Sequence, residues 1–79
     1  MHYVTNAKYL KDYKIEVTFN DRKSGVIDLE KIICNDKREI FQELRNLAKF
    51  KQIKVDADTV TWSNGLDLAP EFLYEKLKN

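Results

Sequence analysis

TVTWSNGLDLAPEFLYEKL, residues 59–77, holds a short strand, an Asn-Gly turn and the start of an amphipathic helix in one run. The β-rich stretch from Thr59 to Trp62 predicts a strand. Asn64-Gly65 predicts a turn, because both residue types tolerate positive φ. Pro70 predicts the first turn of a helix, where its missing N–H would be unpaired anyway. It also biases Ala69 away from helical backbone. Phe72, Leu73 and Leu77 give that helix a buried face. Asp67 and Glu71 put negative charge near its N-terminal end, and Lys76 and Lys78 put positive charge near the other.

Upstream of this run, residues 52–56 form a second β-rich stretch. It joins the first at Ala57-Asp58 and predicts a hairpin. Before it the period changes: Ile40, Phe41, Leu44, Leu47 and Ala48 recur at three- and four-residue spacings. They predict an amphipathic helix from about Arg38 to Lys49. Glu43, Arg45 and Asn46 face water in that reading, and Phe50 folds back into the core. Asn35-Asp36-Lys37 marks a loop, preceded by a helical turn over residues 29–33.

Nearest the N-terminus the period is two. Tyr13, Ile15, Val17 and Phe19 alternate with Lys14, Glu16 and Thr18, as in a half-buried strand. Residues 3–10 and 24–29 predict flanking strands, joined around Lys11-Asp12 and through the polar turn 20–23. The expected fold class is α+β, one domain over residues 1–79 in the order β-β-β-α-β-β-α. A mainly antiparallel sheet, a three-stranded meander plus a C-terminal hairpin, carries two helices on one face.

Composition narrows the function classes. A chain of 79 residues buries only about 60% of its unfolded surface, so a partner covering an apolar patch would matter energetically. The hydrophobic fraction of 43%, with only two Gly and one Pro, excludes a disordered chain. Fourteen basic against thirteen acidic residues leave a net charge of +1, without the basic excess that phosphate neutralisation favours. Cys34 is the only cysteine, which rules out an internal disulfide and fits a reducing compartment. No apolar run is long enough to span a membrane, and the first residues lack a signal-peptide core. The expected location is the cytoplasm.

A family resemblance rests on Phe19 and Asp21, then Val26, Asp28 and Leu29, then Phe41, Leu44 and Phe50. It is strongest in Val55, Asp56, Thr59, Val60, Trp62, Asn64, Gly65, Asp67, Leu68, Ala69, Pro70, Leu73 and Tyr74. In these positions the chain resembles a small bacterial family, domain of unknown function 2442. The chain departs from the family pattern in three places: Arg22 stands where glycine is usual, the Ala57-Asp58 turn lacks the usual hairpin glycine, and Ser63 replaces a common proline. The resemblance implies no established chemistry. It does imply a partner, since members are often encoded beside a second small family in an arrangement like a toxin–antitoxin pair. Some relatives add a helix-turn-helix domain; the stretch after Tyr74 is too short for one, so no DNA-binding role is expected from that source.

Few residues invite catalytic readings. His2 and Cys34 would make a nucleophile pair only if folding brought them together with an orienting group; the plainer readings are a frayed terminal histidine and a small apolar residue ending a helical turn. Asp56 and Asp58 offer oxygen ligands for a divalent ion, or simply turn chemistry. Asp67 with Glu71 reads as an acid/base pair, or as charge placed at a helix start. No glycine-rich phosphate loop or nucleophile elbow occurs. No catalytic residue, metal or cofactor is therefore expected.

The remaining candidates concern binding. Trp62 and Tyr74 either brace the core or anchor a partner, since exposed aromatics dominate interface energetics. Tyr9, Lys11, Tyr13 and Lys14, with Tyr3 and Lys8 nearby, interleave aromatic and basic residues as single-stranded nucleic-acid binders do; Asp12 and Glu16 dilute them. The leading reading is a small non-catalytic protein-interaction module, antitoxin-like in its most specific form, binding a small partner encoded nearby. The competing readings are a nucleic-acid-binding module using that hairpin, and a small enzyme with an unrecognised site. A homodimer through a sheet edge is a further possibility for so small a sheet.

Overall fold

A computed structural model describes residues 1–77. β1 (Val4–Lys11), β2 (Lys14–Phe19) and β3 (Ser24–Asp28) form an antiparallel meander in that order, and β4 (Lys54–Asp56) pairs with β5 (Thr59–Thr61) as a separate hairpin. Helices α1 (Glu30–Asn35), α2 (Glu39–Gln42), α3 (Leu47–Phe50) and α4 (Pro70–Leu77) complete the chain, with a 3-10 turn over Glu43–Arg45 between α2 and α3. The α+β class and the element order are those expected from the sequence.

The two-residue period of β2 sets the layers. Ile15, Val17 and Phe19 are buried, while Lys14, Glu16 and Thr18 lie on the outer face. Register carries this division across the meander: Ile15 pairs with Ile27 of β3 and Tyr9 of β1, and Glu16 pairs with Val26 and Lys8. The core-facing side meets Leu29, Ile33, Phe41, Leu44, Phe50, Val60, Trp62 and Leu73. At roughly 25 cal/mol per Å² of apolar area, this one cluster is the main source of stability in so small a chain.

The helix expected from about 38 to 49 is broken in two. Asn46 is extended (φ −73°, ψ 113°), and its Oδ1 accepts from the Ala48 N–H at 2.9 Å as the N-cap of α3. Asn competes with helical backbone through such local bonds. The break leaves Phe41 and Leu44 inside, turns Leu47 and Ala48 outward and brings Phe50 to complete burial. Arg45 does not face water idly. Its guanidinium donates to the carbonyls of Ile33, Cys34 and Asp36 at 2.8–3.1 Å, closing the C-terminal end of α1.

Two turns share one architecture. Phe19 N–H donates to Lys23 O while Arg22 N–H donates to Phe19 O; Trp62 N–H donates to Leu66 O while Gly65 N–H donates to Trp62 O. In each an Asx side chain, Asp21 or Asn64, accepts from the N–H two residues on. The fourth residue is left-handed in both, Gly65 at φ 93° and Arg22 at φ 73°. Asn64 itself does not take positive φ; its amide instead tethers the turn to Ile40 O and Glu43 Oε1. Arg22 therefore holds a glycine conformation at a cost of about 1–2 kcal/mol. Arg22→Gly is expected to raise the unfolding free energy by about 0.5–1 kcal/mol, the strain relieved less the added freedom of the unfolded chain. A urea midpoint that moves down would contradict this. Ala57 and Asp58, at φ 50° and 67°, close the β4–β5 hairpin in the same strained region.

α4 begins at Pro70, as expected, but its buried aromatic is Tyr74 and not Phe72, which is 38% exposed. Leu73 and Leu77 define a stripe that either flanking aromatic can extend. Phe19 and the Asp21 turn lie on the Tyr74 side, and Tyr74 packs edge-on to Phe19 at 5.0 Å between centroids. Lys78, expected near the helix end, lies outside the described residues.

Candidate interaction edge

β3 is the outer strand of the meander on the side away from β1. Its bonding to β2 alternates in the phase set by the two bonds that bracket the pairing: Phe19 N–H donates to Lys23 O just before β3, and Leu29 N–H donates to Tyr13 O just after it. In an antiparallel ladder this alternation turns the amides and carbonyls of Ser24, Val26 and Asp28 away from β2. Among the described residues, no group bonds those outward positions. The Asp28 side chain accepts from Glu30 N–H at 2.9 Å, which leaves its main chain open. All three residues are exposed, Val26 by 54%.

The opposite edge of the sheet is occupied differently. β4 and β5 lie alongside β1, and Val4 N–H donates to Asp58 O at 2.9 Å. The β1–β2 register also shifts twice, between Val4 and Asn6 and between Tyr9 and Lys11. β3 has neither device, nor a Pro or a Lys, although sheet edges are commonly blunted by such features. The sequence leaves the free edge undetermined, because an edge is a property of topology and Val26 reads only as one more apolar strand residue.

Trp62 and Tyr74, the residues considered as exposed anchors, are spent in the core at 2% and 7% exposure. Trp62 Nε1–H donates to Phe50 O at 2.9 Å, and its ring tilts against Phe50. The Tyr74 hydroxyl donates to Asp21 Oδ2 at 2.6 Å, and its ring stacks on His2 at 3.6 Å. Both polar handles find internal partners, so neither side chain presents an exposed face.

The basic-aromatic hairpin is likewise divided. Tyr9 and Tyr13 turn toward the core and meet Phe50 edge-on. The Tyr13 hydroxyl donates to Arg45 O at 2.6 Å, and burial, aided by Cys34 and Glu30, pushes the phenol above its ordinary pKa. Lys14 lies on the outer face, where Lys8 pairs with Glu16 at 3.7 Å, and Lys11 is opposite Lys14. A stacking platform needs aromatics and cations on one exposed face; alternation along the strands sets Tyr9 and Tyr13 against Lys8 and Lys14.

The titratable candidates enter separate local structures. His2 is tied down rather than frayed: its N–H donates to Glu71 Oε1 at 2.9 Å and its Nδ1 lies 2.8 Å from Oε2. The His2 contacts hold the Glu71 carboxyl below its ordinary range. Asp67 instead lines two open clefts of about 380 and 340 Å³ without Glu71. Ile32, Phe41, Leu66, Leu68, Ala69 and Phe72 form the apolar part of the larger one, beside an Asp36–Arg38 pair at 2.9 Å that lowers the Asp36 pKa. Asp56 lines the smaller cleft, whereas Asp58 belongs to the hairpin docked on Val4. Cys34 is exposed on α1. Among the described residues no three His, Cys, Asp or Glu side chains converge as a metal site, and no helix is long and apolar enough to cross a membrane.

No curated protein and no solved structure matches this chain. A family model does, over residues 4–79, and it spans the meander, the broken helical segment, the hairpin and α4 together. The chain therefore belongs to the family described as protein of unknown function (DUF2442).

Proposed function

We propose that this chain is a non-catalytic protein-interaction module whose binding element is the open edge of β3. In its most specific form it is antitoxin-like and masks a small protein encoded beside it. The observation behind this reading is the row of outward amides and carbonyls at Ser24, Val26 and Asp28. Strand addition takes its affinity from main-chain bonds of this kind and its specificity from alternate side chains. The flanking β2 is anchored in the core through Ile15, Val17 and Phe19, so the edge is held rigid before a partner arrives.

Co-expression with the neighbour-encoded protein tests the proposal. A stable complex and relief of any growth arrest are expected. Val26→Pro is expected to abolish the complex, because it removes one outward N–H and no bond to β2. Lys11→Glu, on the opposite edge, is expected to leave it intact. No complex, or one indifferent to Val26→Pro, would overturn the proposal.

A further inference from the structure

We infer that the β3 edge pairs with the β3 edge of a second copy of this chain, joining two meanders into one continuous antiparallel sheet; this rests on the reading of that edge as a strand-pairing element. The argument is self-complementarity. A two-fold axis at Val26 sets Val26 opposite Val26 of the second copy, and Ser24 opposite Asp28. These are the positions whose amides and carbonyls point outward, so each pair exchanges both of its N–H···O bonds. This register pairs the whole of β3, while any shift along the edge leaves part of it unmatched.

The side chains agree with that register. On the outer face it places the exposed Val26 side chains against each other and the Ser24 hydroxyl beside the Asp28 carboxylate. Two residues beyond each end of the strand, it brings Arg22 near Glu30 of the other copy. Both are exposed, and neither forms an ion pair within its own chain among the described residues. Antiparallel pairing thus sets the basic start of the strand against its acidic end, twice. Parallel pairing would put like charges together. A strand this short buries less than a standard interface, so the dimer is weak and concentration-dependent.

The test is sedimentation equilibrium of the purified chain up to millimolar concentration at low salt. The average mass is expected to climb from the single-chain 9.4 kDa toward twice that value. Val26→Pro should stay at the single-chain mass while keeping the native circular dichroism spectrum. Glu30→Arg and Arg22→Glu should each weaken association by about threefold to tenfold, and an equal mixture of the two should restore it. Isotope-filtered NMR should detect an inter-chain contact between the Hα atoms of Gly25 and Ile27, the non-bonded pair of this register. A wild-type chain that remains single at millimolar concentration overturns the inference, as does a dimer unaffected by Val26→Pro or a mixture that fails to recover. A single-chain wild type that still loses its neighbour-encoded partner on Val26→Pro defeats self-pairing alone. A dimer sensitive to Val26→Pro without any complex defeats only the antitoxin-like reading.

Discussion

Trp62→Ala is expected to remove about 3–5 kcal/mol of unfolding free energy, most of what a chain of this size commands. The cost has three sources. Trp62 is 2% exposed, so truncation opens a void that the surrounding core cannot close fully. Its Nε1–H is the partner of the Phe50 carbonyl at 2.9 Å, and that buried acceptor is left unpaired. Its ring also packs on Phe50, which in turn meets Tyr9 and Tyr13 edge-on, so the damage reaches the N-terminal hairpin. Trp62→Phe separates these sources by keeping much of the ring volume while removing the donor, and should cost about 1–3 kcal/mol. Urea unfolding followed by circular dichroism gives both numbers, with an unchanged slope indicating that stability alone has moved. If the alanine variant lost less than about 1 kcal/mol, Trp62 would not be the brace described.

The same pair of residues shows how far the sequence could be read. Trp62 and Phe50 are each recognisable as apolar, and Thr59 to Pro70 carries enough local chemistry to place a strand, a turn and a helix start. Local signals of that kind act within a few residues and survive any tertiary arrangement. Asn46 illustrates the limit. A helical period runs through it from Ile40 to Ala48, but its side chain caps α3, and the break is what delivers Phe50 to Trp62. Choosing between a continuous stripe and a capped break depends on the partner that Phe50 finds, which lies twelve residues away. Arg45 is similar: its three carbonyl acceptors belong to the end of α1, beyond the reach of a periodicity argument. The β3 edge was legible least of all. It consists of what does not pair with Ser24, Val26 and Asp28, and that is known only once every strand has been placed.

Tyr74→Ala is expected to cost about 3 kcal/mol, and Tyr74→Phe to change how stability responds to acid. Tyr74 is the point at which three distant segments meet. Its ring packs edge-on to Phe19 and stacks on His2, its hydroxyl donates to Asp21 at the β2–β3 turn, and Lys23 Nζ lies 5.6 Å from its centroid. Truncation to alanine therefore loosens the N-terminal residues and the turn along with α4. The phenylalanine variant keeps the packing and removes the hydroxyl. That hydroxyl is the foremost reason the Asp21 carboxyl sits below its ordinary pKa, ahead of the Lys23 backbone N–H. A carboxyl depressed by folding contributes stability that is complete above its unfolded value and disappears as pH falls through its folded value. The wild-type chain should thus lose stability between the ordinary aspartate range and the lowered one, and Tyr74→Phe should lose less over that interval. The gap between them, widest near neutral pH, should narrow on acidification. Glu71, lowered by His2, contributes to both proteins equally and cancels in the difference. Urea midpoints measured from neutral pH down through that interval check this. Parallel curves would show that the Tyr74–Asp21 bond does not couple the last helix to the β2–β3 turn.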